Sequence, residues 1–260
     1  MNAWTMLAIG TAVALSMMFG VWLLHIRMRN ASIVDVAWSA GIGILAVLYA
    51  ALGAGDPARR VAVALMGGIW SVRLALFLAR RVASGPEDAR YQAIRERWGG
   101  NTILKFLWFF LFQGVLDVVL AVPFLLVANN STPGLTAWEF AGLAVWLVAV
   151  AGEATADAQL RAFKADARNR GGICEAGLWR YSRHPNYFFE WLVWCAIALF
   201  ALGTPWGWMG IMCPAMMLYF LLKVTGIPAT ETHMLATRGE AFRAYQRRTS
   251  AFVPWWPRAG

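Results

Sequence analysis

The chain's 260 residues are 60% hydrophobic and 14% charged, with a formal net charge of +9 and a mean hydropathy of +0.54. That balance excludes a water-soluble domain and a disordered chain, and several apolar runs are long enough to cross a bilayer, so an integral membrane protein is expected. Cys174, Cys195 and Cys213 show no C-x-x-C spacing and two of them fall inside apolar runs, which points to packing roles rather than a disulfide framework or a zinc site.

In chain order the predicted spans cover residues 4–24, 33–52, 61–79, 103–127, 136–152, 187–202 and 206–222. The first is of full spanning length and runs into His25, Arg27 and Arg29 without a cleavage pattern, so a retained helix is expected rather than a signal peptide. Gly41, Gly43, Gly67, Gly68, Pro123 and Pro214 lie within spans, where neighbouring helices satisfy the backbone groups they free, and the prolines predict kinks. No repeat period is visible and no connection has room for a soluble domain. Residues 1–260 are therefore expected to form a single all-α domain, a seven-transmembrane-helix bundle.

Lys and Arg set the expected orientation, because cytoplasmic loops keep the positive excess. Arg27 and Arg29 follow the first span, Arg80, Arg81, Arg90, Arg95 and Arg97 the third, the stretch from Arg161 to Arg183 the fifth, and that from Arg238 to Arg258 the seventh. Only Arg59 and Arg60 dissent. The N-terminus is thus expected outside and the C-terminus in the cytoplasm, together with loops 80–102, 153–186 and 223–260. This topology accounts for the net charge without a nucleic-acid partner. Asn129 and Asn130 form overlapping N-x-[ST] sites on the expected outer side.

Charge placement within the spans is more informative. Asp35, Arg73, Glu153, Asp157, Glu190 and Lys223 all fall towards the expected cytoplasmic ends, where several helices can aim them into one cavity. Snorkelling to the headgroups is the structural alternative for any one of them. Asp117 lies deeper in the fourth span, where Gln113 offers a polar partner. The densest group is GLWRYSRHPNYFFE, residues 177–190, in which Arg180, Arg183, His184, Asn186, Tyr187 and Glu190 crowd a helix mouth and imply a solvated or ligand-filled cavity. Arginines with one or two acids suit a phosphate-bearing nucleotide, since guanidinium forks bind phosphate and carboxylates hold ribose or amide hydrogens. No G-x-G-x-x-G after a strand and no P-loop is present, so the arginines must supply the phosphate site.

The segments DAQLRAFKAD, NRGGICEAGLWRYSRHPNYFFEWLVW, NASIVDVAW, EDARYQAIRERWG and KVTGIPATETHMLATRGEAFRAYQRRTSAFVPW together resemble the membrane-bound steroid 5-alpha-reductase family over nearly the whole chain. The resemblance implies a seven-helix bundle that takes NADPH from the cytoplasmic side and reduces a carbon–carbon double bond conjugated to a ketone in a steroid or similar enone lipid. It implies cofactor contacts from Asp157, Arg161, Lys164, Arg168, Arg170, Arg180, Tyr181, His184, Asn186 and Glu190, with Arg73, Lys223, Glu231, His233, Tyr245 and Arg248 completing the enclosure.

Such a reduction needs a hydrogen-bond donor for the enolate oxygen in a dry pocket, for which the aromatic-rich spans offer a lining. Steroid-reducing members use a glutamate on the second helix and a tyrosine on the third, and neither is present. The candidates left for catalysis are Asp35, provided burial keeps it protonated, Tyr187 and Trp38, with Trp70 beside them on the third span. The RHPNY element also resembles the isoprenylcysteine and phospholipid methyltransferases, which bind S-adenosylmethionine. The arginine load favours the reductase, because S-adenosylmethionine carries no phosphate. Membrane lipids are the other expected partners, and the sequence carries no signal of oligomeric state.

Overall fold

The computed structural model describes residues 1–258, and among them the chain is helical, with an isolated bridge between Ser182 and Ser250 as its only strand-like pairing. Among the described residues six helical stretches are long and apolar enough to cross a membrane, Thr102–Ala128 and Gly207–Arg238 included, and Pro185–Ala201 is a shorter apolar helix. The contacts divide the chain, expected as one domain, into two compact units: residues 1–137 with 201–210, and residues 138–200 with the chain from residue 211 onward.

The first unit contains α1 (Ala3–Met28), α2 (Ile33–Leu52), α3 (Pro57–Ser84), α4 (Ala89–Trp98), α5 (Thr102–Leu120) and α6 (Val122–Ala128). Side-chain caps start three of them. Asn2 accepts from the Thr5 amide at 2.8 Å, Asp56 from that of Ala58 at 2.9 Å, and Asp88 from that of Arg90 at 3.0 Å. The fourth apolar run breaks at Ala121, with Pro123 in the first turn of α6, as expected for that proline. Small residues bring α2 against α3: a Cβ at Gly43 would collide with Ser71 and one at Gly67 with Ala46. At that distance the Ser71 hydroxyl donates to the Ser39 carbonyl at 2.6 Å.

Arg59 and Arg60, the exceptions to the charge pattern, are consumed locally. Arg59 is buried and donates to the carbonyls of Thr132 and, at 2.5 Å, Gly134. Arg60 donates to Ala50 at 2.7 Å and Ala51 at 3.1 Å, carbonyls at the C-terminal end of α2 that attract a cation. Asn130 is buried and its amide donates to the Gly203 carbonyl at 3.2 Å and the Thr204 hydroxyl at 3.1 Å, so it is not presented as a glycan acceptor.

The second unit contains α7 (Ala137–Ala165), α8 (Pro185–Ala201), α9 (Met212–Tyr219) and α10 (Ile227–Arg248). A Cβ at Gly142 would stand 2.7 Å from the Phe200 amide nitrogen, and one at Gly152 would strike Phe189. Those two contacts make α7 and α8 antiparallel and closely packed, and the same register sets Asn186 level with Asp157 and Glu190 level with Glu153. The run 206–222, expected as one span, falls in Gly207–Arg238, one of the six candidate spans, and is built from a 3-10 turn over Gly207–Ile211, then α9, then a π turn over Phe220–Val224. Pro214 sits in the first turn of α9, where proline is tolerated, rather than at a mid-helix kink. Within α10 the helix bends at Gly239, whose φ of 54° is open to glycine without strain. Leu147 and Val148 of α7, like Leu65 and Val72 of α3, are exposed apolar side chains of the kind that face lipid.

Candidate functional site

The segment singled out in the sequence folds as a 3-10 turn over Gly177–Arg180, a bend, and the opening of α8. Pro185 takes the first helical position, where a missing N–H costs nothing. Arg183 turns inward, with 10% of its side chain exposed. Its Nε donates to Glu231 at 2.8 Å, its Nη1 to the carbonyls of Gln246 at 3.2 Å and Thr249 at 2.5 Å, and its amide to the Ser250 carbonyl at 2.8 Å. His184 is buried, its Nε2 lies 3.2 Å from the same Glu231 oxygen, and its ring stacks on Tyr187 at 5.3 Å. Gln246 holds the other Glu231 oxygen at 2.8 Å.

More bonds run from this segment to the tail. Ser182 donates to the Phe252 carbonyl at 2.8 Å, the Trp255 amide to the Tyr181 carbonyl at 2.9 Å, and the Tyr245 hydroxyl to the carbonyls of Trp179 and Ser182. The Tyr245 phenol is pushed up in pKa by burial, with Glu175 adding to the effect, so it serves as a donor. Tyr181 meets Trp256 edge-on at 5.4 Å. Four residues expected on a cofactor, Tyr181, His184, Glu231 and Tyr245, thus join Arg183 in fastening residues 245–256 over residues 179–184. Tyr187 keeps one polar contact, 3.2 Å from the Thr230 hydroxyl.

A different set lines the α7–α8 pair. Glu153, Asp157 and Glu190 are all buried, Asn186 donates to Asp157 at 3.4 Å, and the Trp194 indole donates to Glu190 at 3.1 Å. Buried carboxyls grouped on apolar helices are rare, and ionisable residues in such places are functional candidates, so this set is the most function-like grouping in the second unit. Directly after it the chain exposes Arg161, Lys164, Arg170 and Arg180, none of which has a carboxylate partner among the described residues. Arg168 and Arg248 differ: they pair with Asp166 at 2.7 Å and Glu175 at 3.0 Å. Lys223 and His233 are exposed.

Asp35 and Trp38 belong to the first unit, as does Arg73, which is half-buried on α3. Asp35 accepts from the Arg90 guanidinium at 2.8 Å and from the Tyr91 hydroxyl at 2.5 Å. Through these contacts Asp35 ties α2 to α4. Burial alone would lower the Arg90 pKa, but Asp35 and Asp88 beside it raise it. The Tyr91 phenol is raised, by burial first and Asp35 second. Trp38 packs edge-on to the fully buried Trp70 at 6.3 Å, on the apolar cluster of Phe106 and Phe110. Nothing in residue spacing brings position 35 to positions 90 and 91, and the clamp roles of Arg183 and Gln246 likewise rest on contacts distant in sequence.

An all-helical membrane protein with buried acids and an amide where two helices meet a basic loop is the class that fold and site define. The chain belongs to the family described as a protein of unknown function, DUF1295, whose model matches residues 21–249. An uncharacterized protein of Schizosaccharomyces pombe is 24% identical over 269 residues, covering 90% of this chain and 75% of its own length. No solved structure matches the chain.

Proposed function

We propose that this protein is an NADPH-dependent reductase of enone lipids such as 3-oxo-4-ene steroids, spanning the membrane seven times with the N-terminus outside and the cofactor taken up from the cytoplasm. The observation that carries this reading is the pairing of the part-buried Asp157–Asn186 contact with four exposed cations without a carboxylate partner among the described residues, Arg161 and Lys164 in the last turns of α7 and Arg170 and Arg180 in the segment that follows. The donor set fits the cofactor: carboxylate and amide groups suit ribose hydroxyls and a carboxamide, and guanidinium groups suit phosphates. Asp157, Asn186 and Glu190 would hold the uncharged parts, and Arg161, Lys164, Arg170 and Arg180 the phosphates.

NADPH, when bound, supplies the hydride that reaches the β carbon of the enone. Tyr187 is the hydroxyl best suited to donate to the carbonyl oxygen as charge develops there, since it sits half-buried at the start of α8, its ring is set by His184 and the Leu221, Ile227 and Phe252 cluster, and its hydroxyl lies 3.2 Å from that of Thr230. The expected outcome for purified protein in lipid is loss of NADPH absorbance on adding a 3-oxo-4-ene steroid, abolished in Asn186→Ala and strongly slowed in Tyr187→Phe. Methyl transfer from S-adenosylmethionine with no NADPH consumption would replace this reading with the methyltransferase one.

A further inference from the structure

Asp117 has no part in the site above. It lies on α5 with no exposed surface, and among the described residues neither of its carboxyl oxygens has a hydrogen-bond partner. Gln113, the partner suggested by sequence, is not bonded to it. Space for the carboxyl comes from Gly41 on α2, where a Cβ would collide with the Asp117 carboxylate and stand 2.7 Å from the Met17 methyl of α1. The helices packed around Asp117 offer no counter-charge. On α1, His25 is bonded to the Trp22 carbonyl at 2.8 Å and Arg27 is exposed at the helix end. On α2, Asp35 is held by Arg90 and Tyr91, and the Tyr49 hydroxyl, next to Gly10, has no bond to Asp117. On α5 itself, Lys105 donates to the Trp98 carbonyl at 2.6 Å, and α6 carries no titratable side chain.

An ionised carboxylate without a partner is not tolerated in such surroundings, whereas a neutral one is. We propose that Asp117 is a proton-binding site within the membrane, a carboxyl held in its protonated form between α1, α2 and α5. Its ligand is the proton itself. Asparagine copies the shape and neutrality of that form, and leucine copies its lack of charge, so both replacements should fold.

The test is the infrared spectrum of the protein in liposomes at neutral pH, wild type minus Asp117→Asn and wild type minus Asp117→Leu. The expected result is a protonated-carboxyl carbonyl band present in the wild type and lost in both variants. No such band in the wild type, or one that persists in the variants, overturns the proposal. Failure of both variants to fold would show that the position requires a charge, and overturns it equally.

Discussion

Two basic regions follow long apolar helices in this protein, and their charges meet opposite fates. In the corner between α3 and α4, Arg81 pairs with Asp88 at 2.7 Å, Arg90 with Asp35 at 2.8 Å and with Asp88 at 3.1 Å, and Arg95 with Glu87 at 2.9 Å. At the end of α7 and in the segment after it, Asp166 and Glu175 are spent on Arg168 and Arg248, and among the described residues Arg161, Lys164, Arg170 and Arg180 remain without a carboxylate. Arginine content alone does not separate structural from ligand-binding charge. The local supply of acids does: the corner draws Asp35 from a distant helix, and the loop has no such donor.

If the fastening around Arg183 is as tight as its geometry, breaking it should have the largest effect of all. Arg183→Ala takes the guanidinium from Glu231 and from the carbonyls of Gln246 and Thr249 in a mostly buried setting, and should cost about 3–5 kcal/mol, read by thermal unfolding in detergent. Survival of the unfolding temperature would mean that the tail is held by its apolar contacts instead.

Next comes the α3–α4 corner, where Arg90→Ala should cost about 1.5–3 kcal/mol, since the lost hydrogen bonds are to charged groups. The same variant carries a pH signature. Burial by itself would raise the Asp88 carboxyl, but Arg90, and then Arg81, outweigh it and hold its pKa below the ordinary carboxylate value. With the folded pKa below the unfolded one, the stabilisation is complete above a pH of about 4 and is lost as pH falls through the folded pKa. Unfolding of the wild type should therefore steepen in acid, and Arg90→Ala should flatten that dependence. NADPH affinity should not change.

The loop cations should behave in the opposite manner. Arg180→Ala should leave the unfolding temperature unchanged and weaken NADPH binding by roughly tenfold, equivalent to about 1.4 kcal/mol. Smallest of all is Arg168→Ala, which removes a fully exposed pair with Asp166 and should change neither stability nor binding measurably.

Much of the architecture was legible in the sequence because lipid demands long apolar helices. Runs 4–24, 33–52 and 61–79 each lie within one observed helix and 136–152 begins one residue before its helix, whereas 103–127 breaks at Ala121 and 206–222 passes through 3-10 and π turns. Polar roles were harder to read. Clustering of polar residues marks Arg183 and His184 as unusual and the family resemblance marks Tyr245, yet whether a polar side chain meets a ligand or a backbone carbonyl depends on chain segments about sixty residues apart, as in Tyr245 with Trp179 and Ser182. Asp35 illustrates the same limit, since its partners at 90 and 91 lie on α4, beyond the whole of α3.

The most direct measurement of the central claim is equilibrium binding of NADPH, NADH and S-adenosylmethionine to the purified wild-type protein and Arg180→Ala at two salt concentrations. The account predicts NADPH bound more tightly than NADH, weakened by salt and by the substitution, and no binding of S-adenosylmethionine. Equal affinity for NADPH and NADH that neither salt nor Arg180→Ala alters would contradict it, as would selective binding of S-adenosylmethionine.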